Sequence, residues 1–436
     1  MNKETAATIR KKIPPLGKKQ ELILKEPQKI YLDNGIKVYI IDGGDWNVTR
    51  LDMVFEAGTA YQNKKLTANS VNKLISEGTA SYSSFEISEL LDYYGAFFDP
   101  FVNKDSAGIT LYALSKYYGK LLPLMFEMVT EATFPQHEID IYLEREYHSF
   151  KVNLEKVRYR AMLEFNRLMF GKNSAYGQTL QENDFLKITR NDLIDFYKNR
   201  YSLNNGYFIL SGTANGKIIK LLNSVFGQHK PSNGIKETNP GKFVTNCKEK
   251  NLLIEKENSL QSAILFGYPA IDKTDRHYST LTLLNTVLGG YFGSRLMTSL
   301  REEKGLTYGI HSFVKNYKHG NYLAVSTEVN ANQTREAVQE IKRQIDLLKT
   351  EKIDKHELQL VKNYLYGTFL RGFDGPFALS DRLKNVIDFN LNMDFYKKHL
   401  NNIMNVKAED IRKFAEIFFD NTKQKLLIVG KTAGLK

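Results

Sequence analysis

The strongest constraint on this chain is that it repeats itself over a very long range. Asp192-Leu193-Ile194-Asp195-Phe196 through Tyr201, then Tyr207-Phe208-Ile209-Leu210 and Gly212, aligns without a gap on Asp410-Ile411-Arg412-Lys413-Phe414 through Phe419, Lys425-Leu426-Leu427-Ile428 and Gly430. Asp192 and Asp410 are 218 positions apart, and so are Gly212 and Gly430. Further upstream, His137-Glu138 matches His356-Glu357 at 219. A unit of about 200 residues is a whole domain, far longer than a solenoid repeat, so the 436 residues read as a duplication. The stretch from His229 to Asn251, HKPSNGIKETNPGKFVTNCKEKN, holds two Pro, two Gly and few large apolar residues, which is linker composition. The expected organisation is therefore a domain over 1–228, a linker over 229–251 and a second domain over 252–436.

Each half mixes helix and strand periods. Leu51, Met53, Phe55 and Ala57 alternate with Asp52 and Glu56, which predicts a strand with one buried face; Tyr322 to Val329 predicts another. Ser83-x-x-Glu86 and Thr189-x-x-Asp192 read as capping boxes that open helices. Leu121, Leu122, Met125, Met128 and Val129 recur at helical spacing, as do Ala337, Ile341, Ile345 and Leu348, and both stripes are assigned to core packing. The fold class is α+β, with one sheet backed by helices in each half.

Hydrophobic residues at 42% and charged residues at 25% exclude a disordered, collagenous or coiled-coil chain. The net charge of +12 is spread among acidic residues, which argues against nucleic acid as a partner. The one basic run, Arg10, Lys11, Lys12, Lys18 and Lys19, reads as a solvated arm. Cys247 stands alone, so no internal disulfide or cysteine-rich metal site can form, and a reducing compartment fits. Neither a signal-peptide core nor a membrane-length apolar run is visible; a cytoplasmic protein without a membrane association is expected.

The eight histidines (His137, His148, His229, His277, His311, His319, His356 and His399) include no two within five residues, so H-E-x-x-H is absent. The serine nucleophile elbow, the P-loop and G-x-G-x-x-G are absent as well. Cys247 lies in the linker, away from any oriented base. The informative stretch is Leu288-Gly289-Gly290-Tyr291-Phe292-Gly293-Ser294-Arg295-Leu296, followed by Leu300-Arg301-Glu302-Glu303-Lys304-Gly305-Leu306-Thr307-Tyr308.

These residues resemble the carboxy-terminal signature of the M16 family, the pitrilysin or insulinase-like zinc peptidases: G-G-x-x-x-S-R-L, then L-R-E-x-x-G-L-x-Y. The resemblance runs from Leu32-Asp33-Asn34-Gly35 to Gly430 and implies two homologous α+β domains, each with a mostly antiparallel sheet, together forming half of a clamshell. Active members carry H-x-x-E-H ahead of a Gly-Thr. Here Gly58-Thr59-Ala60-Tyr61 and Glu77-Gly78-Thr79 match the flanks, and the motif falls on Asn69-Ser70-Val71-Asn72-Lys73. By this register Asn69 and Lys73 replace the two imidazole ligands and Asn72 replaces the glutamate that activates water. The family's third ligand lies seven residues after the second Glu of Glu144-Arg145-Glu146, at Asn153. The implied chain has no catalytic residues in isolation and holds no cofactor, the zinc being expected only in a partner subunit.

The other half of the family's site is retained. Arg301 and Tyr308 match by type and spacing the pair that reaches the substrate backbone and the developing oxyanion. The resemblance therefore implies a catalytically incomplete subunit of a heterodimeric zinc peptidase, paired with a homologous H-x-x-E-H chain and binding extended peptide or unfolded protein by strand addition. The alternative is a structural M16 homologue without a proteolytic role, like the core proteins of the respiratory bc1 complex; a solitary peptide-binding protein or homodimer is a third reading.

Overall fold

The computed structural model describes residues 24, 26–44, 47–229, 243 and 247–432. The basic run at 10–19 and most of the 229–251 linker lie outside the described residues. The first half contains β1 (Gln28–Tyr31), β2 (Lys37–Asp42), β3 (Val48–Phe55), α1 (Thr67–Leu74), α2 (Ser84–Tyr93), β4 (Phe97–Val102) and β5 (Ala107–Leu114). It continues through α3 (Tyr118–Thr130), α4 (Gln136–Leu154), α5 (Val157–Phe170), α6 (Arg190–Arg200), β6 (Gly206–Gly212) and α7 (Gly216–Leu222). The second half contains β7 (Asn251–Glu255), β8 (Gln261–Pro269), α8 (Tyr278–Asn285), β9 (Ile310–Tyr317), β10 (Gly320–Asn330) and α9 (Thr334–Thr350). It ends with α10 (Lys355–Arg371), α11 (Gly375–Asp388), α12 (Asp394–Asn405), α13 (Ala408–Phe418) and β11 (Lys425–Gly430).

The duplication is written into the topology. One sheet has the order β1-β2-β6-β3-β5-β4 and the other β7-β11-β8-β10-β9, the same order apart from the additional β1. In each sheet a single pair is parallel, β2 with β6 and β7 with β11, and the remaining pairs are antiparallel. Helix ends follow the sequence offset: α5 spans 157–170 and α11 375–388, α6 spans 190–200 and α13 408–418, each displaced by 218. Gly212 and Gly430 repeat for a steric reason. Both have positive φ, +90° and +144°, and a Cβ would lie 2.2 Å from the Val48 carbonyl oxygen in one case and 2.6 Å from Ser262 Oγ in the other.

Ser83 and Thr189 cap α2 and α6 through complete capping boxes with Glu86 and Asp192. The apolar stripes of α3 and α9 are buried against the inner faces of the two sheets. The outer faces are covered by exchange. Helix α5 of the first half packs on β8 and β11, where Phe165, Leu168 and Met169 meet Ala263, Leu265 and Leu427. Helix α11 of the second half packs on β2 and β6, where Leu383 and Val386 meet Ile41 and Ile209. At Gly267 an added Cβ would lie 2.6 Å from both Met169 Sδ and the Phe165 ring, so the absence of a side chain there admits α5.

This exchange corrects the expectation for β3. The strand is buried on both faces, and Asp52, expected to face solvent, has no exposed surface. Its carboxylate faces α11 and accepts from Ser380 Oγ at 2.7 Å, Thr110 Oγ1 at 2.7 Å and Lys384 Nζ at 3.1 Å. Arg50, two residues earlier on the same face, lies 2.8 Å from it and also reaches Asp381 at 2.7 Å. A second polar seam joins the halves where Lys318 contacts Glu56 at 2.9 Å and donates its backbone N–H to Asp105.

Candidate functional site

Helix α1 carries Asn69, Asn72 and Lys73, the residues on which the sequence register places the zinc motif, and they point to different surroundings. Asn69 and Lys73 are exposed, whereas Asn72 is fully buried. Asn72 Nδ2 donates to the Gly108 carbonyl and to Tyr201 Oη, both at 3.0 Å. It ties α1 to β5 and α6. Burial holds the Tyr201 phenol well above its ordinary pKa, so this oxygen is a neutral partner. Asn153, near the end of α4, bonds locally, to Ser149 Oγ at 3.3 Å and from Lys156 Nζ at 2.8 Å. Two amides and an ammonium are a poor donor set for Zn²⁺: an amide offers only a neutral oxygen, and the protonated Lys73 has no lone pair to give. Among the described residues no three His, Cys, Asp or Glu gather where they could hold a metal. The site does not fit zinc.

The segment carrying Arg301 and Tyr308 is built differently. Residues Thr286–Gly290 and Met297–Glu303 wind in wider π-type turns, anchored by fully buried Leu288, Leu296 and Leu300. Gly289 lies against β9, where a Cβ would meet the Ser312 backbone nitrogen at 2.6 Å. After Arg301 the chain reverses at Gly305, whose φ is +61°. Leu306 and Ile310 are buried on either side of Tyr308, and Thr307 Oγ1 donates to the Glu328 carbonyl at 2.7 Å. Pinned at both ends, the turn presents Tyr308 with 95% of its surface exposed. A tyrosine packed in the core is therefore not what this sequence produces.

Arg301 has no carboxylate within ion-pair distance among the described residues; its guanidinium carbon lies 4.8 Å from the centre of the Phe292 ring. Beside Tyr308 a cleft of about 360 Å³ is lined by Arg158, Gln261, Met297, His311 and Glu328. Arg158 arrives from the exchanged helix α5 and lies 3.8 Å from Glu328. Burial, and then Arg158, lower the His311 pKa, so this imidazole is neutral at pH 7. The sequence reading missed Phe292, Arg158 and His311. Phe292 was legible as the aromatic inside the glycine-rich signature; Arg158 was not, since only the helix exchange brings it here.

One edge of the first sheet is β4, and it is blunted. The β4–β5 hairpin closes with a hydrogen bond from Asn103 N to Ser106 O, and its register runs unbroken to Phe97 opposite Tyr112. Alternation from that closing pair makes Pro100 opposite Ile109 a non-hydrogen-bonded pair, so the Pro100 nitrogen faces the open edge without a hydrogen.

Comparison with known proteins decides the family. The profile described as "Insulinase (Peptidase family M16)" matches residues 46–171, and that described as "Peptidase M16 inactive domain" matches residues 187–365. The chain belongs to peptidase family M16. Among curated M16 relatives, "Uncharacterized zinc protease YmxG" of Bacillus subtilis is 22% identical over 77% of this chain and 82% of its own length. "Non-peptidase homolog YmxG" of Helicobacter pylori is 21% identical over 84% of each. The crystal structure of a peptidase M16 inactive domain from Pseudomonas fluorescens superposes with a TM-score of 0.82 at 21% identity, covering 93% of this chain and 98% of that one. By these matches and its own two sheets, this chain is an inactive-type M16 homologue of α+β fold.

Proposed function

We propose that the chain is the non-catalytic subunit of a heterodimeric M16 zinc peptidase, supplying Arg301 and Tyr308 to a site whose zinc and H-x-x-E-H belong to a homologous partner. The observation that carries this reading is asymmetric wear. The α1 positions have turned to scaffold bonds or solvent, while Tyr308 stays exposed beside a cleft and Arg301 keeps its charge unspent. A guanidinium without a carboxylate partner and a free phenol are suitable donors for a peptide carbonyl and for the oxyanion that forms from it. Pro100 supports the division of labour. A peptide adding to β4 of this chain would lose one backbone bond at its centre, which favours the partner's sheet edge as the place where the scissile segment lies.

The test is reconstitution. The chain is coexpressed with a candidate M16 homologue that carries H-x-x-E-H, and hydrolysis of a quenched extended peptide is measured for each chain and for the pair. Zinc-dependent activity that needs both chains supports the reading; full activity of the H-x-x-E-H chain alone removes it.

A further inference from the structure

The second half carries a pocket that shares no residue with the Tyr308 cleft. It has a volume of about 280 Å³ and lies at the start of α8, between the β8–α8 connection and α12. Leu391, Phe395 and Tyr278 give it a mainly apolar wall. Three cations line it, Lys273, Arg276 and Lys398, against one carboxylate, Asp275. Asp275 is already engaged, since its Oδ1 accepts the His277 backbone N–H at 2.7 Å. None of the three cations has a carboxylate within ion-pair distance among the described residues.

Lys273 is the informative group. It is 8% exposed, its ammonium donates to Asn385 Oδ1, and it sits 3.8 Å from the centre of the Phe389 ring. An ammonium has three donors, and a buried charge is normally paired. Burial lowers its pKa to about 8, with Asp388 opposing and Arg382 adding to the effect, so at neutral pH it remains mainly a cation. Next to it Ser279 Oγ and His399 Nδ1 are 2.8 Å apart, and the imidazole stacks on Phe395. Burial, and then Lys273, hold the His399 pKa down to about 4, so the ring adds no charge to the wall.

We propose that this pocket binds a small organic carboxylate with an apolar body. The carboxylate takes the unused donors of Lys273, with Arg276 and Lys398 at the rim, and the body lies against Phe395 and Leu391. The volume of about 280 Å³ is just below the usual range of about 300–1,000 Å³ for ligand sites, which suits a compact acid better than a nucleotide. A charge-assisted contact to a buried ammonium supplies the selectivity, because a neutral analogue leaves it unpaired.

Ligand-observed fluorine NMR on the full chain tests this, with 4-fluorobenzoate as probe and 4-fluorobenzamide as its neutral counterpart. The benzoate is expected to bind saturably and the benzamide about tenfold or more weakly. Lys273→Gln, and separately the exposed pair Arg276→Gln with Lys398→Gln, should each weaken the benzoate about tenfold. Absence of saturable benzoate binding, equal binding of the benzamide, or unchanged affinity in the rim double variant overturns the proposal. The rim variant decides the matter if Lys273→Gln fails to fold.

Discussion

Replacing Asp52 by alanine tests the energetic role of the exchanged helix α11. The carboxylate is wholly buried and collects Arg50, Thr110, Ser380 and Lys384. Removing one partner of a buried ion pair typically costs about 3–5 kcal/mol. Arg50 and Lys384 retain Asp381, at 2.7 and 3.2 Å, which keeps part of their compensation. The two hydroxyls lose their acceptor, at about 1 kcal/mol each. A loss of about 3 kcal/mol is therefore expected, a large share of the ~5–15 kcal/mol typical of folded proteins. The assay is urea unfolding followed by far-ultraviolet circular dichroism. Arg50→Met combined with Asp52→Leu should recover more than half of the loss, because no uncompensated charge is then buried at β3. A single variant within about 0.5 kcal/mol of wild type would refute the reasoning.

Asn72→Ala strands the Tyr201 hydroxyl and removes the side-chain bond to the Gly108 carbonyl, and should cost about 1–3 kcal/mol in the same assay; a neutral result would mean that Asn72 does not act as scaffold. The isolated chain, dialysed against zinc and then buffer, should retain no stoichiometric metal by mass spectrometry, and chelator-sensitive metal would contradict the donor-set argument. Glu340 is held down to about 2: burial opposes ionisation, but Arg343, Ser299 and Gln344 outweigh it. A depressed carboxylate stabilises the fold above its unfolded pKa, and that stability is lost as pH falls from about 5 toward 2. Glu340→Gln should therefore flatten the decline of unfolding free energy over that window, whereas an unchanged slope would show that other carboxylates govern it.

Much of the architecture was legible because duplication leaves marks that survive divergence. The offset between Asp192 and Asp410 anticipates matching helix ends to the residue, and Gly212 and Gly430 repeat because backbone sterics leave no alternative. Capping at Ser83 and Thr189 is local chemistry and reads directly. The double burial of β3 was not legible, since its outer cover comes from a helix more than three hundred residues later. The available signal was Arg50-x-Asp52, opposite charges on one strand face, which marks a pair able to be buried together. At the candidate site the motif located Arg301 and Tyr308, but only the folded chain shows Phe292 beneath one and Arg158 beside the other's cleft.

The central claim is that Arg301 and Tyr308 act on peptide held at another subunit's zinc. It is tested most directly by steady-state kinetics of the reconstituted pair, at saturating concentration of this chain, with Arg301→Ala and Tyr308→Phe. Both residues lie outside the hydrophobic cores, so folding and pairing should persist. A lost oxyanion donor lowers kcat by a factor on the order of 10²–10³, and kcat/KM should fall with it. Rates equal to wild type in both variants would contradict the account and leave this chain a scaffold.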